Sequence, residues 1–90
     1  MAKMLTKIKL MPDSPNTDLN KLEKEALEKI KKNPIDDIKV EKEPIAFGLT
    51  ALIITIVLDE SLSPDLITEE LTKIRDVNNA EIIDIRRAIG

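Results

Sequence analysis

The sequence predicts an α+β domain in the order β-α-β-β-α-β, with two helices on one face of a four-stranded antiparallel sheet. Four segments of strand length carry apolar residues in alternation or in an unbroken run, two others carry them at helical spacing, and breaks rich in proline and asparagine separate them. Ninety residues hold one core of this kind, so residues 1–90 are read as a single domain.

In residues 3–11, Ile8 and Leu10 fall in one period-2 phase and Lys7 and Lys9 in the other, the mark of a half-buried strand. Pro12-Asp13-Ser14-Pro15-Asn16 is a turn by composition, and Thr17 or Asp18 is placed to cap the helix that follows. Leu19, Leu22, Ala26, Leu27 and Ile30 form that helix's apolar stripe, and Asn33-Pro34 stops it. From residue 35 to 43, Ile38 and Val40 alternate with Lys39 and Glu41, an edge strand whose charges discourage pairing with other chains. Residues 49–58 are apolar on both phases and rich in β-branched side chains, as a central strand requires. Ser63-Pro64 reads as a cap followed by a first-turn proline, and Leu66, Ile67, Leu71 and Ile74 give the second helix its stripe. A turn over 76–79 leads to the fourth strand, residues 80–86. In so short a chain this order predicts the ferredoxin-like sandwich.

Composition excludes several chemistries. There is no Cys, His, Trp or Tyr, and Phe47 is the one aromatic residue. Without imidazole or thiolate, zinc sites, thiol redox chemistry and Ser-His-Asp hydrolysis are ruled out, and neither a metal nor a cofactor is expected. The net charge is −3, with no basic stripe and no aromatic rings for base stacking, so direct nucleic-acid binding is not expected. The longest apolar run, 49–58, is too short to span a membrane, and Met1-Ala2-Lys3 leads into alternating residues instead of a signal peptide, which makes the cytosol the expected compartment.

The loop Pro44-Ile45-Ala46-Phe47-Gly48 holds the sole ring between a small residue and a glycine. On the residues alone, Phe47 reads as a core residue at the start of a strand. The alternative is an exposed anchor for a partner, since interface hot spots favour rigidly held rings. Gly48 fits both, because it permits backbone angles or close approach that a side chain would prevent.

Three motifs resemble the archaeal elongation factor 1-beta family: Met11-Pro12-Asp13-Ser14-Pro15, Glu43-Pro44-Ile45-Ala46-Phe47-Gly48 and Asp84-Ile85-Arg86-Arg87, within a likeness that runs from Lys3 to Ile89. The second of these is the most specific. The resemblance implies exchange of GDP for GTP on the GTPase elongation factor 1-alpha during translation elongation; the sequence does not give the oligomeric state, and a monomer is the expectation. It also implies that Phe47 enters a pocket of that GTPase, with Pro44, Ile45, Ala46 and Gly48 around it; Arg86 and Arg87 read either as further contacts to the GTPase or as the solvated basic end of an edge strand. Eukaryotic relatives end in a lysine directed at the magnesium and phosphate site, whereas this chain ends Arg86-Arg87-Ala88-Ile89-Gly90. Exchange breaks no covalent bond, which suits a chain without reactive side chains. Two other readings are a small-molecule-sensing domain that dimerises through its sheet, suggested by Leu49, Ala51, Ile53 and Val57, and an acylphosphatase-like enzyme, disfavoured by the acidic turn after the first strand.

Overall fold

The computed structural model describes residues 3–88; Ile89 and Gly90, where the lysine of eukaryotic relatives would be sought, lie outside the described residues. The elements are β1 (Lys3–Pro12), α1 (Leu19–Ile30), β2 (Ile35–Pro44), β3 (Thr50–Asp59), α2 (Pro64–Thr72) and β4 (Val77–Ala88). The strands form one antiparallel sheet in the order β2-β3-β1-β4, the ferredoxin-like arrangement predicted from the sequence.

Alternation decides which side chains meet the helices. Thr6, Ile8 and Leu10 of β1 and Leu52, Ile54, Ile56 and Leu58 of β3 share one face and are buried with Leu22, Ala26 and Ile30 of α1 and Ile67 and Leu71 of α2. Strand β3 is central, and its second phase is also covered: Ala51 and Ile53 are buried on the open face, where Lys9 and Glu41 flank Ile53 and Glu43 lies opposite Ala51. The sheet face that could pair two copies of the chain is therefore dressed in its own charged side chains.

Asp18 caps α1, its Oδ1 accepting from Asn20 N–H at 3.1 Å and Lys21 N–H at 3.3 Å; Thr17 does not take that role. Ser63 stands at the cap of α2 without a side-chain hydrogen bond, and Leu66 points outward instead of into the core. Strand β4 starts at Val77, earlier than its alternation suggests, because Val77 and Asn79 pair with Pro12 and Met11. A bulge then places Asp84 opposite Lys7, although Ile82 lies opposite Ile8. Ile82 faces the helices, so an unbroken ladder would put Asp84 on that same buried face. The extra residue moves the carboxylate to the open side and spares it desolvation.

At the end of the sheet that holds Lys3 and Asp59, Lys3 Nζ lies 2.8 Å from Asp36 and 3.9 Å from Asp59. The hydrogen bond to Asp36 raises the Lys3 pKa, and hydrogen bonds from Ser61, its backbone N–H foremost, hold the Asp59 carboxyl below its ordinary value. A lowered carboxyl pKa favours the fold above the ordinary carboxylate range and ceases to do so as the pH falls through it.

One core group is unpaired. The Thr6 hydroxyl is fully buried and has no hydrogen-bond partner among the described residues. A buried unsatisfied hydroxyl costs about 1–3 kcal/mol. Thr6→Val keeps the branched shape, so a gain of about 1–2 kcal/mol is expected in urea unfolding. An unchanged midpoint would mean that the hydroxyl is satisfied in solution.

Candidate functional site

The hairpin joining β2 to β3 makes the most exposed apolar feature of the fold. The last ladder pair is Pro44 opposite Thr50. Beyond it, Ile45 N–H donates to the Leu49 carbonyl at 2.8 Å, and Leu49 N–H donates back to the Ala46 carbonyl at 3.3 Å. Phe47 and Gly48 occupy the two central places of that tight turn, with φ of 63° and 74°. Positive φ at both central residues is the hairpin turn whose backbone twist matches that of the strands it joins, and asparagine or aspartate followed by glycine is its preferred sequence. Gly48 meets this requirement freely. Phe47 does not, since a bulky side chain in the left-handed region is strained by about 1–2 kcal/mol.

The turn holds the Phe47 side chain 94% exposed. It is not a core residue, and the reading from the residues alone fails here because the turn, and not the hydrophobicity of the ring, decides where it points. Pro44, Ala46 and Gly48 are exposed beside it, and Ile45 is half-buried. The five residues singled out from the sequence thus form one continuous tip.

Arg86 and Arg87 do not join them. Strand β1 runs from the Lys3 end of the sheet toward the hairpin end, and β4 returns, so Arg86 and Arg87 sit opposite Leu5 and Met4. Roughly eight residue spacings, about 25 Å, separate that row from Thr50. Both guanidinium groups are engaged within the chain: Arg86 Nε lies 2.9 Å from Asp84 Oδ2, and Arg87 Nη2 lies 2.7 Å from Glu60 Oε2. The bond to Glu60 raises the Arg87 pKa further above its already high value. These are exposed pairs, and such pairs contribute little to stability.

Among the described residues no group of three Asp or Glu side chains is placed to hold a metal ion, and no helix is long and apolar enough to cross a membrane. Sequence reasoning missed the strained turn, beside which a side chain at position 48, were there one, would meet Pro15 Cβ at 4.0 Å, in the turn between β1 and α1. The one available signal for the strained turn was a glycine at the second place of a short loop between two strands.

Comparison with known proteins agrees with this architecture. A designed protein, "De novo designed protein Foldit4", is 18% identical with a TM-score of 0.63 over 98% of each chain, a likeness of fold alone. The profile of the EF-1 guanine nucleotide exchange domain matches residues 5–88. Elongation factor 1-beta of Methanothermobacter thermautotrophicus is 40% identical over 88 residues, covering 97% of this chain and 98% of that protein. The same-named proteins of Methanobrevibacter smithii and Methanosarcina barkeri are 38% and 35% identical over 97% of this chain and 98% and 99% of their own lengths. With a domain profile that spans nearly all the described residues and relatives matched end to end, the chain belongs to the archaeal elongation factor 1-beta family of guanine-nucleotide exchange domains.

Proposed function

We propose that the 44–48 tip is the element through which this chain, a guanine-nucleotide exchange factor for the GTPase elongation factor 1-alpha, engages its partner, with Phe47 as the inserted anchor. The observation that supports this reading is the sole aromatic ring held 94% exposed on a turn whose backbone disfavours it. Exchange by protein contact requires differential binding and no covalent chemistry. A factor that binds the nucleotide-free GTPase more tightly than the GDP form weakens GDP by the same ratio. A thousandfold effect corresponds to about 4 kcal/mol, and one buried aromatic hot spot supplies about 2 kcal/mol or more of such binding. The tip is suited to this because its turn is already closed by two backbone hydrogen bonds, which limits the ordering cost on docking. Acting on a translation GTPase, the chain works in the cytosol.

Release of labelled GDP from elongation factor 1-alpha tests both parts. The unaltered chain accelerates release, and Phe47→Ala lowers that acceleration about thirtyfold, equivalent to about 2 kcal/mol. The unfolding midpoint of the variant stays where it was, since the ring lends nothing to the core. No acceleration by the unaltered chain removes the exchange activity; normal acceleration by the variant removes Phe47 as the anchor.

A further inference from the structure

The three arginines of the chain, Arg75, Arg86 and Arg87, are placed very differently. Arg86 and Arg87 lie about 25 Å from the hairpin row and are paired with Asp84 and Glu60. Arg75 stands at the hairpin end. Leu10 is opposite Leu52, so Pro12 is level with Thr50, and Pro44, Thr50, Pro12 and Val77 form one row that crosses the sheet in about 14 Å. The turn that enters β4 at Val77 carries Arg75: Val77 N–H donates to the Ile74 carbonyl at 3.1 Å, which makes Arg75 and Asp76 its two central residues. Asp13 N–H donates to the Asp76 carbonyl at 2.8 Å and ties this turn to the one that leaves β1. The backbone at Arg75 is thus held at several points, while its side chain is exposed. Among the described residues no ion pair includes Arg75, although Asp76 follows it directly and nearby Lys73 is paired with Glu70 at 3.6 Å.

We infer, resting on the exchange reading above, that Arg75 is a second contact with elongation factor 1-alpha, made to a carboxylate of that GTPase at the rim of the interface centred on Phe47. Size decides between the arginines. A standard interface covers about 800 Å² on each partner, a disc about 16 Å in radius. Such a disc drawn around the tip reaches the turn that holds Arg75 and stops short of Arg86 and Arg87. Pairing decides in the same direction, since Arg75 gives up no internal ion pair on docking and the other two would have to. A guanidinium presents a planar fork of donors that matches a carboxylate, and a fixed backbone beneath it lowers the ordering cost of the contact. At a rim, such a charge acts chiefly on the rate of encounter and on its salt dependence.

Titration of elongation factor 1-alpha freed of nucleotide, run beside the GDP-release assay, tests this. With no nucleotide phosphate present, a loss of affinity reports an acidic group of the GTPase itself. At low salt Arg75→Glu weakens binding about tenfold and Arg75→Ala about threefold, while Arg75→Lys, which keeps the charge without the fork, loses less than alanine. The loss from Arg75→Glu shrinks as salt brings the screening length below about 10 Å. Lys32→Glu makes the same change in net charge at an exposed position past the far end of α1, and alters affinity less than about twofold. In the Phe47→Ala background the Arg75→Glu loss persists, because contacts about 10 Å or more apart add independently. Unfolding midpoints stay unchanged, as Arg75 is exposed and unpaired. Unaltered affinity in Arg75→Glu overturns the contact, and so does an equal loss in Lys32→Glu, which would trace the effect to net charge. If the unaltered chain binds without accelerating release, the exchange reading fails and the binding series still decides the role of Arg75. If it does not bind, both fail; if only Phe47→Ala behaves normally, it is the anchor reading that falls.

Discussion

Phe47→Asn loses exchange activity and at the same time makes the free protein harder to unfold. The two effects have separate origins. Exchange is lost because the ring is gone, about thirtyfold as for alanine. Stability rises because asparagine tolerates positive φ and is favoured at the first central place of this turn, which relieves about 1 kcal/mol of strain. Phe47→Ala, which keeps a Cβ in the left-handed region, is expected to show the first effect without the second. Parallel urea unfolding and GDP-release measurements on the two variants check this. A lowered midpoint for Phe47→Asn would show that the free tip does not store the strain.

Ile54→Ala destabilises the fold by about 2–5 kcal/mol, a large share of the stability of a small domain. Ile54 is fully buried on the helix-facing side of β3, in register with Ile8 on one side and Val40 on the other. Its surroundings are aliphatic, and the domain's one ring lies outside the core. Branched chains already in preferred rotamers close only part of the void that alanine leaves. Urea unfolding gives the loss as a shift of the midpoint at nearly unchanged slope. A shift equivalent to less than about 1 kcal/mol would show that the core relaxes around the site. Under conditions where the variant remains folded, its exchange activity is unaffected, because Ile54 does not touch the tip.

The strands were legible wherever one face was charged and the other apolar, as in Lys7, Ile8, Lys9 and Leu10, because water and the helix layer impose opposite demands on alternate residues. Strand β4 was legible only in its middle: Asn78 and Asn79 suggest a turn, but the ladder to Met11 and Pro12 holds that segment extended. The bulge at its centre was hidden, since Ile82 and Ile83 give no indication of which is the inserted residue. At the tip, hydrophobicity states what a side chain prefers in isolation and says nothing of a backbone that turns it into solvent. The family resemblance, and not periodicity, implied an exposed Phe47. The wide separation of Arg86 and Arg87 from that tip follows from antiparallel order, and became evident only once the register was known.

The isolation of the ring also makes the molecule convenient to observe. A chain without Trp or Tyr is almost transparent near 280 nm, so absorbance and fluorescence in a mixture come from the partner. A fluorine label on phenylalanine marks a single site, Phe47, that no neighbour in the core perturbs. Its resonance in the free protein is an intrinsic baseline, and a displacement on mixing reports the ring's new surroundings without interference from the rest of the fold.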